Sequence, residues 1–360
     1  MDIPRLRLHH QHITAPAFAR PADVVDWLVA VQAQDYAGAK WALGLRMRAT
    51  AEPVLERAFT EGSILRTHLM RPTWHFVTPA DIRWMLTLTG PRVQAANAGM
   101  YRQEGLDRTT FKRSNDALVK ALRGGVQLTR DELRDVLQTA GIEARGTLRM
   151  AYLMMYAELE GILCSGPRRG RQFTYALLDE RAPGARSLPR DEALAELARR
   201  YFLSRGPATV QDLAKWSGLT VADASRGLEA VQAGLAHEVL DGRSYWFSPS
   251  APPPRPTAPL AHLLSVYDEY LSGYKDRSAI IEPGHAARLI AMGNLLTSVI
   301  LVDGQILGTW KRRLEKRAVT VETSLFAPLG QPEKQALAAA ARQYAAFLEL
   351  PLELVEVRAG

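Results

Sequence analysis

Two stretches of the chain carry the same succession of apolar and polar positions. In the later one, Leu194, Leu197, Ala198, Tyr201 and Phe202 fall at helical spacing within residues 190–204. Thr209 then stands where a cap is needed for a short helix over 210–216, Gly218 ends it, and Thr220 opens a third helix reaching about residue 232. Two apolar runs follow, 237–240 and 244–247, with Asp241-Gly242 between them, a pair that favours a tight hairpin. Three helices and then a two-stranded wing predict a winged helix-turn-helix.

The earlier stretch has the same order. Ser114 caps a helix through 122, Thr129 caps one over 130–139 that Gly141 stops, and a third runs over 147–159. The runs 161–164 and 172–177 flank a turn, 166–171, that holds Arg168, Arg169 and Arg171. In a winged helix such a basic tip lies beside a phosphate backbone. The alternative is a solvated loop with ordinary charges.

A looser copy occupies the N-terminus. Pro21 suits the first position of a helix whose apolar stripe is Val24, Val25, Trp27, Leu28 and Val31. Residues 52–59 form another helix, 65–70 and 73–77 read as strands about an Arg71-Pro72 turn, and 79–104 is helical with a break at Gly90-Pro91. Residues 248–259 hold six prolines and read as a stiff linker. Beyond them come strands at 263–267, 299–302, 305–310, 318–326 and 352–357, a hairpin at Asp303-Gly304, and a helix over 332–348. The expected fold class is α+β, mainly helical: three tandem winged helix-turn-helix modules plus a C-terminal antiparallel-sheet α+β domain. The expected division is 1–110, 111–180, 188–248, a linker at 249–259, and 260–360.

Charge directs attention to polyanions. The 360 residues include 45 Lys+Arg against 38 Asp+Glu, a net charge of +7, which favours nucleic acid as a partner over a merely basic soluble enzyme. Residues 311–317 are the most basic stretch and include Lys311, Arg312 and Arg313. They read equally as a DNA-facing ribbon or a solvated strand end. A single cysteine, Cys164, permits no internal disulfide, and the protein is expected to be cytoplasmic. The first twenty residues lack the pattern of a secretory signal, and the apolar runs are too short for a membrane span. His9, His10 and His12 cluster at the chain end and read as a polar strand rather than a metal site. P-loop, dinucleotide-binding, zinc and nucleophile-elbow motifs are all missing from the sequence. Nothing calls for a cofactor, and a conventional kinase, dehydrogenase or hydrolase is unsupported.

Gln32 and Gln34 are two apart, just where the first helical stripe fades. On extended chain they share a face; on a helix they do not. Each amide offers an acceptor and two N–H donors, so it can orient a water molecule but cannot take its proton. Read from the residues alone, they are either such a pair or two solvated glutamines at a helix end.

At this segment the sequence resembles the winged-helix DNA-binding family that includes the AlkZ and YcaQ bacterial DNA glycosylases. The marks are residues 31–35 (Val-Gln-Ala-Gln-Asp), 65–71, 157–168, 201–209 and 267–274, in one order along nearly the whole chain. The resemblance implies three winged helices wrapped around duplex DNA, and the placement of several modules in one polypeptide favours a monomer. It also implies a monofunctional glycosylase for purines alkylated at N7 or N3, with bulky adducts or interstrand crosslinks as substrates of some members. Gln32-Ala33-Gln34 matches the Gln-x-Gln form of the motif, although its middle position is usually larger. The resemblance makes Gln32 and Gln34 the catalytic pair. Asp35, Arg66, His75, Asp268 and Tyr270 are candidate pocket residues. Arg168, Arg169, Arg171, Lys311, Arg312 and Arg313 are candidate DNA contacts. The competing reading is a winged-helix DNA-binding protein without enzymatic activity, such as a transcriptional regulator.

Overall fold

The computed structural model describes residues 1–250, 256–291 and 296–356. The middle of the proline-rich stretch, 251–255, lies outside the described residues, as does residue 357 of the last predicted strand.

The chain opens with α1 (Ile3–His10) and α2 (Pro21–Leu28), then β1 (Ala30–Gln32), α3 (Tyr36–Gly44), α4 (Glu52–Glu61), β2 (Leu65–Leu69), β3 (Arg71–Val77) and the long α5 (Ile82–Gln103). The three strands form a sheet in the order β1-β3-β2 with antiparallel pairing. Several boundaries differ from the sequence expectation. The three N-terminal histidines lie on or just beyond helix α1, not on a strand, and the His10 ring is hydrogen-bonded to the Gly206 carbonyl at 2.7 Å. Helix α2 stops at Leu28, Val29 turns into the left-handed region at φ 65°, and Val31 belongs to β1. An inward apolar residue fits a helical stripe and a strand face alike, so periodicity alone could not place Val31. The turn between β2 and β3 is made by Met70, at φ 62°, and both Arg71 and Pro72 belong to β3. Helix α5 runs unbroken through Gly90-Pro91. An internal proline costs about 3 kcal/mol, offset here by the burial of Met85, Leu88 and Val93 and by the close approach of Gly90 to the Leu159 carbonyl.

The next stretch comprises α6 (Arg108–Leu122), β4 (Leu128–Thr129), α7 (Arg130–Thr139), α8 (Thr147–Leu159), β5 (Leu163–Ser165), β6 (Thr174–Leu177) and the single turn α9 (Leu178–Arg181). Its sheet order, β4-β6-β5, repeats the connectivity of the first. Thr129 and Glu132 form a reciprocal capping box on α7. Helix α6 is capped by Asp107 rather than Ser114, which is buried within the helix.

The order returns a third time in α10 (Arg190–Arg205), α11 (Val210–Ser217), α12 (Val221–Glu229), β7 (Ala236–Leu240) and β8 (Arg243–Phe247). Ala208 replaces the first strand and bridges Trp246 through two backbone hydrogen bonds. Thr209 caps α11 in a second capping box, Thr220 caps α12, and Asp241 and Gly242 take the positive φ angles of a two-residue hairpin turn.

The remainder is β9 (Ala261–Leu264), α13 (Glu269–Ser272), α14 (Pro283–Ala291), β10 (Val299–Val302), β11 (Gln305–Leu314), β12 (Val319–Leu325), α15 (Gln331–Phe347) and β13 (Leu352–Glu356). The five strands lie in the order β13-β12-β11-β10-β9. The expectation of a wholly antiparallel sheet needs correction, because β12 pairs with β13 in parallel. Helix α15 supplies the crossover that a parallel pair requires.

The protein is thus mixed α+β. Its hydrophobic interior joins elements distant in sequence. Val24, Leu28 and Trp41 share one apolar cluster with Leu263, Val299 and Tyr344 of the C-terminal part, and the Trp41 indole N–H donates to the Leu263 carbonyl at 2.6 Å. A second cluster unites Ile82 and Trp84 of α5 with Leu194, Tyr201 and Trp216. The α6–β6 stretch has its own core around Leu118, Leu133, Leu153 and Leu163. Among the described residues, no helix is long and apolar enough to cross a membrane.

Candidate active site

Gln32 ends β1, paired with His75 across the sheet, and the chain stays with β3 for one more residue: the Ala33 N–H donates to the Trp74 carbonyl at 2.7 Å. Gln32 therefore sits on strand β1 alongside β3, and Gln34 on the bend that follows, just before the cap of α3, rather than on the end of α2. Each amide is tied to β3. The Gln32 Oε1 accepts from Arg71 Nη2 at 3.2 Å, and the Gln34 Oε1 accepts from the Trp74 N–H at 3.3 Å. Both partners are donors, which turns the amide oxygens toward β3. Gln32 is buried and Gln34 is exposed. Ala33, between them, is fully buried.

The support beneath Gln32 comes from two later stretches of chain. Its backbone N–H donates to Glu269 Oε1 at 2.9 Å. The other oxygen of Glu269 accepts from Arg205 Nη2 at 2.7 Å and from the Trp216 indole N–H at 2.9 Å. Glu269 and Arg205 are both completely buried. On the other side, Arg71 is held by the carbonyls of Trp216 and Lys215 at the end of α11. Gly218 permits this contact. Its φ is +72°, and a Cβ there would meet the Met70 carbonyl oxygen at 2.2 Å.

His75 is fully buried beside Arg71. Burial, reinforced by the Arg71 charge, pushes its pKa well below the ordinary value, so the ring is neutral. Its Nδ1 faces the Thr73 carbonyl at 3.0 Å and carries the proton, which leaves Nε2 to accept from Arg71 at 3.4 Å. A neutral imidazole so placed orients Arg71 and is not a proton donor toward a leaving group.

The other sequence candidates divide. Asp35 caps α3 through the Gly38 N–H at 2.5 Å. Asp268 is buried in a bidentate ion pair with Arg46, at 2.8 and 3.0 Å. The Tyr270 hydroxyl donates to the Gly304 carbonyl at 3.0 Å inside the core. Glu269, which stands between these two in the sequence, is the residue of that segment that touches the Gln motif. Arg66 is buried, with Nε donating to the Ala33 carbonyl at 3.0 Å.

Of the wing arginines, Arg168 turns inward to Glu56 at 3.1 Å, and Arg169 pairs with Glu132 at 2.7 Å. Arg171 is exposed at the turn after Gly170. On β11, Lys311 and Arg313 are exposed, whereas Arg312 donates to the Tyr344 hydroxyl at 2.8 Å on the opposite face. Cys164 is buried, and burial raises its thiol pKa to about 12, which leaves it inert. Among the described residues, no group of three or more His, Cys, Asp or Glu is placed to hold a metal ion.

Sequence reasoning missed Trp74, Arg205 and Trp216. Their partners lie tens to hundreds of residues away, and the local pattern holds no signal for them.

The comparisons with known proteins agree with this architecture. A model of the AlkZ-like DNA glycosylase family matches residues 25–347. A curated relative from Streptomyces sahachiroi, named an interstrand DNA cross-link repair glycosylase, is 27% identical over 325 residues, 85% of each chain. The solved structure of the Streptomyces sahachiroi DNA glycosylase AlkZ superposes with a TM-score of 0.80 at 22% identity, covering 98% of both chains. At that identity the superposition speaks for the fold.

Proposed function

Because the chain belongs to the AlkZ-like family of DNA glycosylases, we propose that it hydrolyses the N-glycosyl bond of N7- or N3-alkylated purines in duplex DNA, with Gln32 and Gln34 holding the attacking water. The relative named for interstrand crosslink repair extends the proposed substrates to crosslinked and bulky adducts. The three repeats of helix, strand or bridge, helix, helix and hairpin are read as three winged-helix modules that grip the duplex. The C-terminal part buttresses the first of them. The protein acts as a monomer, with units divided near 1–110, 111–180, 188–248 and 260–360.

The observation that carries the reading is the pair of tethered amides. Each Oε1 accepts one hydrogen bond from β3, which orients that oxygen toward the strand. A second lone pair on each oxygen and the N–H donors remain to hold one water. The carboxylates of this segment are already engaged: Asp35 on the α3 cap, Glu269 on Arg205, Trp216 and Gln32. A site of neutral amides suits a leaving group that needs no proton. A purine alkylated at N7 or N3 is cationic and departs readily once the sugar carbon is attacked. What remains for the protein is positioning and stabilisation of the developing charge.

The test is release of 7-methylguanine from alkylated duplex DNA under single-turnover conditions. The reading expects free base and an abasic site. Tight, sequence-selective binding to undamaged duplex without base release favours the regulator instead.

A further inference from the structure

Arg66 is a buried arginine. Its side chain is more than nine-tenths buried. The guanidinium carbon lies 4.3 Å from the centre of the Trp74 ring and 4.5 Å from that of Phe173. Nε is occupied by the Ala33 carbonyl. Among the described residues, neither terminal nitrogen has a hydrogen-bond partner, and no carboxylate lies within ion-pairing distance. The nearby Glu158 is engaged by His68. Burial lowers the Arg66 pKa to about 10, which still leaves it protonated at neutral pH. The terminal nitrogens are not sealed from solvent, so a guanidinium that is otherwise buried keeps open donors that an anion can reach.

Arg66 faces a cavity of about 270 Å³, bounded also by Trp74, Phe173, Tyr175, Arg130 and Arg171. The first turn of α7 forms one wall, so the positive end of that helix faces the same space. Asp131 also borders the cavity, but its carboxylate is exposed to solvent and paired with Arg134 at 2.6 Å. The Arg171 side chain has no partner among the described residues and stands at the mouth, on the wing turn. The cavity thus lies between the first sheet and the wing of the second repeat. Its wall is tied to the Gln motif at two points, through Ala33 to Arg66 and through Gln34 to Trp74.

We propose that this cavity is a phosphate subsite: Arg66 and Arg171 clasp one phosphodiester of the substrate strand and set the register of the scissile sugar against Gln32 and Gln34. The second clause rests on the glycosylase reading; the anion site itself does not. Arg66 is a positioning residue here, since it holds the strand and not the reacting atoms.

The experiment measures the affinity of the full chain for a duplex with one alkylated purine, as a function of salt and with single methylphosphonates replacing the flanking phosphates. Each phosphate contact contributes about 0.9 to the slope of log K against log salt. Arg66→Gln is expected to lower that slope by about one. In the wild type, one neutral methylphosphonate is expected to weaken binding by about ten- to hundredfold, and in Arg66→Gln the same replacement has no further effect. A folded Arg66→Gln with the wild-type slope overturns the subsite. If Arg66→Gln does not fold, Arg171→Gln on the exposed turn is read in the same way, and an unchanged slope there overturns it equally. Base release is scored separately. A slope change without release by the wild type keeps the subsite and refutes the glycosylase reading; release with an unchanged slope does the reverse.

Discussion

Removing the Glu269 carboxylate tests how the floor of the site is built. The Glu269→Ala variant strands Arg205, a guanidinium with no exposure, and deprives both the Gln32 N–H and the Trp216 indole N–H of their acceptor. Breaking a buried ion pair from one side costs about 3–5 kcal/mol. Each orphaned N–H would add about 1–3 kcal/mol if counted alone. The three losses share one cavity and are not additive, so about 3–5 kcal/mol is the expected total. For a chain of 360 residues, an unfolding entropy near 2.1 cal/mol/K per residue converts this to a fall in Tm of about 4–7 °C. Glu269→Gln keeps the shape, loses the charge and presents an amide N–H to at least one donor, so it should fall in the same direction. The assay is urea denaturation followed by tryptophan fluorescence, with base release measured on the folded fraction. Release should drop as well, because the Gln32 backbone loses its anchor. A Glu269→Ala protein within about 1 kcal/mol of wild type would refute the assignment of this carboxylate as the keystone beneath the motif.

Other perturbations follow from single contacts. Gly218→Ala places a side chain at φ +72° and against the Met70 carbonyl; the left-handed backbone alone costs about 1–2 kcal/mol. Chemical denaturation should show at least that loss, with slower base release as Arg71 shifts from Gln32, and wild-type values for both would count against the α11 contact. His262 is buried, and burial followed by the Arg46 charge lowers its pKa to about 4 from 6.5. Its folded value lies below the unfolded one, so the stability it confers is complete above about pH 6.5 and is lost as pH falls toward 4, roughly 3 kcal/mol in all. His262→Leu should flatten that part of the denaturation profile, and an unchanged slope would exclude His262 as its source. Arg169→Gln, which removes a partly exposed pair with Glu132, should change stability by less than about 1 kcal/mol; a larger loss on denaturation would show that the pair holds the wing.

Local chemistry made much of the fold legible. Thr129, Thr209 and Thr220 cap their helices as their spacing implies, and both Asp-Gly pairs turn hairpins. Where a choice depended on distant packing, the pattern misled. Val31 suited a helix and a strand equally, Pro91 sits inside a helix that tertiary contacts sustain, and β13 joins its sheet in parallel only because α15 folds back over it. The extended placement of Gln32 was legible as one of two alternatives, whereas the bend that carries Gln34 into α3 was not. What secures them was not: Glu269 lies 237 residues from Gln32 and 64 from Arg205. The basic wing shows the same limit, since sequence displays three arginines while packing turns one inward and pairs another.

The central claim is that Gln32 and Gln34 hold one water between them. Single-turnover release of 7-methylguanine by wild type, Gln32→Ala, Gln34→Ala and the double variant addresses it directly. Two groups that act on one water are expected to be strongly non-additive, so each single variant should lose most of the rate and the double variant little more. Rates that match wild type in the double variant, or losses in the single variants that simply multiply, would contradict the account.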